Sequence, residues 1–402
     1  MVSPRHLDTA LREARVLVCA GTGGVGKTTI SAALALQAAL AGRRTLVLTI
    51  DPARRLADAL GVDELGSKPT HVDLSTLSSG TRSGSLPGCL DAMMLDPKPT
   101  FDALVARFAQ DEVARQRILD NRIYRHLSEA LAGSADYAAM LQVYELIETD
   151  DYDLIVLDTP PADHALDFLR APRRMREFLH SRFVRSLLQP ALSASRLGAR
   201  LLGRGLQRIF SLIERVAGGG FLDDISEFLK AIDGLSLTFD ERSTWVEEFL
   251  LGPQTGFVLV CGGQARANAS ALEFLSQLEA FRVPLVAVVA NRLRPWPLAQ
   301  PPRGVDFSIS IPKIAQDAQR LSVALEEPGA GEAIVARLSE YAQVCAAQNR
   351  ALSDLEAAAA TREIRCIRIR ELPGDVDRLD GIAEIAAMLS SDPEANSLGP
   401  QP

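Results

Sequence analysis

Gly21-Thr22-Gly23-Gly24-Val25-Gly26-Lys27-Thr28-Thr29 is the stretch on which the reading of this chain turns. It satisfies the pattern GxxxxGK[ST], follows the apolar run Arg15 to Ala20 and leads directly into the alanine-rich segment Thr28 to Ala41. A strand, a glycine-dense bend and a helix in that order make a P-loop. Backbone N–H groups have to turn inward around a phosphate, and side chains on that path would obstruct them. The glycines keep it clear. Lys27 then supplies a point charge to the β- and γ-phosphates, Thr28 a hydroxyl for Mg²⁺, and the helix start a favourable dipole. The nucleotide-binding residues expected here are Gly21, Thr22, Gly23, Gly24, Val25, Gly26, Lys27, Thr28 and Thr29.

Outward from this loop, apolar runs of strand length alternate with helix-length segments: Thr45 to Ile50, then Pro52 to Leu60. The rhythm returns at Leu154 to Asp158, at Phe257 to Cys261 with a helix from about Ala267 to Phe281, and at Leu285 to Ala290. Short, wholly apolar runs suit strands covered on both faces, so the fold class is α/β, a mostly parallel sheet flanked by helices. Between Arg170 and about Gly252 the strand signal disappears, and helices broken by Pro190 and by Gly218-Gly219-Gly220 replace it. The expected organisation is a core in two parts, 1–169 and 253–390, interrupted by an inserted helical subdomain at 170–252. A further helical stretch lies at about 101–148. Ser78 to Gly88, rich in serine and glycine, reads as a surface loop, and 391–402 as an unstructured tail.

The composition excludes several classes of protein. With 47% hydrophobic and 23% charged residues among 402, there is material for a large core, which rules out wholesale disorder. No apolar run approaches the ~18 residues of a membrane span, and Arg5, Asp8, Arg12 and Glu13 do not suit a secretory signal. Five scattered cysteines, Cys19, Cys89, Cys261, Cys345 and Cys366, never form CxxC. They suit a reducing, cytoplasmic setting without a sequence-local zinc site. The net charge of -8 is uneven, since Arg170 to Val216 carries eleven arginines against Glu177 and Glu214. One basic helical segment in an acidic chain does not suggest a nucleic-acid partner.

Two carboxylates stand at ends of expected strands, where an open parallel sheet collects its ligand chemistry. Leu154-Ile155-Val156-Leu157-Asp158 is a dry strand ending in an acid, the pattern of a Mg²⁺-holding Walker B aspartate. Asp51 opens Asp51-Pro52-Ala53-Arg54-Arg55-Leu56-Ala57-Asp58. Its spacing fits equally an ordinary helix start, Asp at N-cap and Pro at N1, and a carboxylate beside Mg²⁺ that orients the attacking water.

Together these segments resemble the ArsA-type anion-transporting ATPases, which include arsenite-pump-driving ATPases and targeting ATPases for tail-anchored membrane proteins. The resemblance runs from about Val16 to Leu389. It is carried by GTGGVGKTT, by DPARRLAD as a first switch and by LDTPPADHALDFL as a second. It implies hydrolysis of ATP with Mg²⁺, Lys27 and Asp51 as catalytic groups, and Thr28, Asp51 and Asp158 around the metal. Asp51, Asp158 and His164 become switch residues that sense the γ-phosphate. Asn291 in VVANRLRP and Pro373 in LPGDVDRL fall where the family contacts adenine.

Departures from the family pattern narrow the expectation. Thr22 stands where many members carry a second lysine that reaches a partner's nucleotide across a dimer, and threonine has neither the charge nor the reach. Pro160 and Asp163 replace the usual alanine and glycine of the second switch, which stiffens the backbone there. On the inserted segment Arg196, Arg200, Arg204 and Arg208 recur every four residues, with Leu197, Leu201, Leu202, Ile209 and Phe210 largely beside them. Such a surface is either a solvated face over an ordinary core or an apolar groove with a basic rim. The groove would accept a client or membrane-protein helix, or approach anionic lipid. The expected function is a cytoplasmic Mg²⁺-ATPase whose nucleotide state controls this partner surface, with a homodimer compatible. The alternatives are a subunit energising a metalloid exporter and a nucleotide-binding interaction module with little turnover.

Overall fold

The computed structural model describes residues 6–50, 55–77, 88–108, 112–121, 124, 135–159, 170, 173, 177, 241–242, 244–295, 322–323, 328–374, 376 and 378–390. Asp51, His164, the arginine stripe from Arg196 to Arg208, most of the 170–252 segment, the Ser/Gly-rich loop up to residue 87 and the 391–402 tail lie outside these residues.

Eight strands form one sheet: β1 (Val16–Gly21), β2 (Thr45–Thr49), β3 (Thr70–His71), β4 (Leu90–Met94), β5 (Leu154–Asp158), β6 (Thr255–Gly262), β7 (Leu285–Leu293) and β8 (Arg365–Arg370). Their spatial order is β3-β4-β2-β5-β1-β6-β7-β8. Every pairing is parallel except β3 with β4. The mostly parallel α/β architecture expected from the apolar runs is therefore the architecture observed. β1 lies between β5 and β6, so the loop leaving β1 is flanked by the ends of both.

Alternation along each strand divides the core in two. Leu17, Cys19, Val47, Val156, Val258 and Val289 face one layer. That layer is closed by α1 (Leu7–Glu13), α2 (Lys27–Leu40), α3 (Arg55–Leu60) and the C-terminal helix Leu379–Ser390. Val18, Leu48, Ile155, Leu157, Leu259 and Val288 face the other. There the sheet is covered by helices Ala135–Thr149, Ala265–Ala280 and Ala330–Ala360. α2 shows why alanine is frequent here. Ala32, Ala33, Ala35, Ala38 and Ala39 are all buried, so the helix is apolar almost all round and packs close to the sheet, the signature of an enclosed helix.

The centre of the sheet matches the sequence reading within a few residues, and its edges extend beyond it. β4 carries the polar Asp91 in a five-residue run, and β8 reads Arg-Cys-Ile-Arg-Ile-Arg, so neither is the wholly apolar run that marks a covered strand. β8 is an edge. Ile367 and Ile369 point inward, while Arg368 pairs with Glu356 at 2.7 Å and Arg370 with Glu384 at 2.8 Å. Charged side chains of this kind keep an edge from pairing with other chains. Residues 244–250 dock on the second layer of the core through Val246 and Leu250. Trp245 stacks on Phe249 and meets Tyr144 edge-on, and the Arg242 guanidinium lies 4.3 Å from the centre of the Tyr144 ring.

Candidate nucleotide site

The loop after β1 lies against its neighbours more tightly than any side chain would allow. A Cβ on Gly21 would stand 2.0 Å from the carbonyl oxygen of Val260 on β6. At Gly26 it would stand 2.4 Å from the Asn291 amide nitrogen, and the backbone there is left-handed, with φ 87°. Both positions need glycine. Gly26 is the N-cap of α2, with no side-chain cap and no acidic residue in the first turn. The helix start, with the positive end of its dipole, thus carries no cap or acid of its own, which fits a phosphate ligand.

Lys27 is buried, and its Nζ donates to the carbonyls of Gly21 at 3.0 Å and Thr22 at 3.1 Å. The side chain thus curls back along the loop, its ammonium held at the end of β1. Thr28 Oγ1 donates to Asp158 Oδ2 at 2.8 Å, and Thr49 Oγ1 donates to the same oxygen at 3.0 Å. Ser31 Oγ lies 3.4 Å from the other Asp158 oxygen and 3.0 Å from the Lys27 carbonyl. Register explains this convergence, because Asp158 is opposite Thr49 on one side and Cys19 on the other. Three parallel strands therefore end at one level, with the carboxylate beneath the hydroxyl of the P-loop threonine. A hydroxyl and a fixed carboxylate at this spacing are the oxygen donors that Mg²⁺ accepts, and a lysine with an uncapped helix start suits a triphosphate. The residues present fit both groups.

Beside them, burial pushes the Cys19 thiol up to about 12, and the Asp158 carboxylate adds to the effect. Cys261 and Cys366 are raised by burial to about 12 as well. All five cysteines are free, and in these three burial disfavours the thiolate.

Asn291 closes the opposite end. It is buried, and its Nδ2 donates to the carbonyl of Val25 at 2.9 Å. The end of β7 is thereby tied to the P-loop backbone. Pro373 is exposed three residues after β8, and the Glu371 N–H bonds to the Leu293 carbonyl at 2.7 Å. The two segments expected around adenine thus leave the ends of adjacent strands. Gly23 and Gly24 are exposed on the loop, Thr22 and Thr29 half-buried. Asp51 and His164 lie outside the described residues, although Thr49 brings the strand before Asp51 onto Asp158.

Three participants escaped the sequence reading. Thr49 and Ser31 hold Asp158, and the trace of Thr49 was a lone hydroxyl near the end of an apolar strand. Gln348, on the helix Ala330–Ala360, accepts from the Arg294 N–H at 3.2 Å, and its side chain occupies the space that a Cβ on Gly263 would need. Nothing local in the sequence marks it.

Comparison with known proteins agrees with this geometry. Residues 14–297 match the model of a family described as anion-transporting ATPase. Among curated proteins, the ATPase get3 of Aspergillus terreus is 27% identical over 280 residues, which are 69% of this chain and 73% of that protein. The ATPase GET3 of Malassezia globosa is 26% identical over 302 residues, 75% of this chain and 78% of its own. Among the described residues no helix is long and apolar enough to cross a membrane. With the family match covering most of the chain and the P-loop at the sheet's centre, the protein belongs to the anion-transporting ATPase family and is a nucleotide-binding ATP hydrolase.

Proposed function

We propose that this chain is a Mg²⁺-dependent ATPase whose nucleotide state controls a partner-binding surface on its inserted helices. The observation that carries the reading is the Asp158 carboxylate, which accepts from Thr28 at the P-loop and from Thr49 two residues before Asp51. One group therefore joins the phosphate cradle to both segments that resemble switches, the one opening at Asp51 and the one that runs on to His164.

In hydrolysis Lys27 stabilises negative charge on the β- and γ-phosphates, and Asp51 orients a water for in-line attack on the γ-phosphorus. The new P–O bond forms as the bond to the β–γ bridging oxygen breaks, leaving ADP and phosphate. Mg²⁺, when held by Thr28, Asp51 and Asp158, supplies neutralisation of the phosphate charge. Loss of the γ-phosphate relaxes the two switch segments, and the second leads directly into 170–252. In this reading the arginine stripe from Arg196 to Arg208 and its flanking leucines supply the basic rim and apolar contacts for a client or membrane-protein helix, with peripheral contact to anionic lipid. A homodimer is part of this reading, closed without a charged cross-contact from Thr22.

The test is hydrogen exchange across 170–252 in the full chain with ATP and the Asp51→Asn variant, against ADP, joined to capture of what co-purifies in each state. ATP-specific protection and an ATP-specific helical partner are expected. Identical exchange and identical partners in all states would remove the nucleotide control. Stimulation of turnover by arsenite or antimonite would move the protein to an exporter-energising subunit, and undetectable multiple-turnover phosphate release to a binding module.

A further inference from the structure

We infer that Arg292 is a nucleotide contact, its guanidinium forming a flat platform for the base at the β7 end of the P-loop. The inference rests on the reading that residues 21–29 hold an adenine nucleotide.

The argument starts from a break in a strand. Successive side chains of a strand point to opposite faces, so Asn291 and Arg292 should not approach the same neighbour. Here they do. A Cβ placed on Gly26 would lie 2.4 Å from the Asn291 amide nitrogen and 3.7 Å from Arg292 Nε. The cause is the backbone of Arg292, which is left-handed with φ 55°, and the β7–β8 register shifts between Ala290 and Leu293 at the same place. A non-glycine residue in this region is unfavourable for an L side chain, and such outliers gather at ligand sites. From Ala290 opposite Arg368 to Leu293 opposite Arg370, β7 advances three residues while β8 advances two, so Arg292 lies in a β-bulge, a device that re-aims a side chain and is common beside functional sites.

Among the described residues no hydrogen bond or ion pair holds the side chain there. Arg292 is exposed and makes no ion pair among the described residues, whereas Arg368 and Arg370 on the adjacent strand meet carboxylates at 2.7 and 2.8 Å. Its position selects the base over the phosphates. Asp158 and Thr28 place the phosphate and metal end at β5 and β1, while Arg292 approaches the loop from β7, beyond β6 in the sheet order β5-β1-β6-β7. A nucleotide lying along this row of strand ends brings its base to Arg292. A guanidinium is planar, weakly hydrated and cationic, and it stacks on aromatic faces in a way that lysine cannot match.

Calorimetric titration of the full chain with ADP and with inorganic tripolyphosphate, which has no base, tests the assignment. Arg292→Ala and Arg292→Lys should each weaken ADP, Ala by about tenfold and Lys by less, while tripolyphosphate binds as to the unaltered protein. Arg292→Gly separates contact from backbone. Glycine accepts the left-handed conformation, so melting of the nucleotide-free protein should hold or rise while ADP affinity falls as in Arg292→Ala. Retained ADP affinity in Arg292→Gly would reduce Arg292 to a backbone kink and overturn the proposal. So would full affinity in Arg292→Lys together with weaker tripolyphosphate binding in Arg292→Ala, since that pattern belongs to a charge on phosphate. If the unaltered chain binds neither ADP nor tripolyphosphate, the nucleotide reading itself falls, and this inference with it.

Discussion

The two ends of the P-loop are built on different physical principles. At the β5 end Asp158 is 1% exposed and accepts hydrogen bonds from Thr28 and Thr49, with Ser31 beside its second oxygen. At the β7 end one buried amide, Asn291, ties the loop to the strand, and the next residue is an exposed arginine in a left-handed conformation. On the proposed reading, the carboxylate that serves Mg²⁺ is set deep, where a network of donors holds it still. Recognition of a base, as proposed for Arg292, needs an accessible flat surface, and that end is the exposed one. The lesson is that preorganisation and access are divided along one loop.

The deepest cut at this contrast is Lys27→Ala. Removing the cation from a buried phosphate site should weaken ATP binding by about a hundredfold or more, measured by calorimetry. ATP binding close to that of the unaltered protein would dissolve the distinction between the ends. Asp51→Asn should leave ATP binding within a few fold and slow phosphate release by about a hundredfold. Near-normal turnover would remove Asp51 from the chemistry.

The base end should respond more mildly. Asn291→Ala deletes the donor to the Val25 carbonyl, and loss of one buried partner costs about 1–3 kcal/mol, read as a lower melting temperature with weaker nucleotide binding. A melting temperature and affinity unchanged by this substitution would show that the loop needs no tie to β7. Least of all, Thr22→Val should change stability by less than about 1 kcal/mol, because the buried Thr22 hydroxyl has no hydrogen-bond partner among the described residues. Marked destabilisation, or lost ATP binding, would reveal a polar role for Thr22.

How much of this was legible beforehand depended on whether the signal was local. β1, β2, β5, β6 and β7 are short apolar runs, and burial on both faces leaves that mark in composition. β4 and β8 lack it because they lie towards the rims, where Asp91 reaches Tyr152 and His71 and where the β8 arginines meet Glu356 and Glu384. The phosphate cradle was legible for a similar reason. Loop, lysine and threonine are contiguous, since the backbone itself wraps the ligand.

By itself, then, the order of residues determined the P-loop, the parallel sheet and the acid at the end of β5, because each is encoded within a run of five to ten neighbours whose periodicity or spacing has one physical solution. Only the tertiary structure decided that Thr49 and Ser31 share Asp158, that Asn291 reaches Val25 across 266 positions, and that Arg292 turns toward Gly26. Those relations depend on strand order and register, which bring distant strand ends to one level, and on a backbone torsion that no residue type announces.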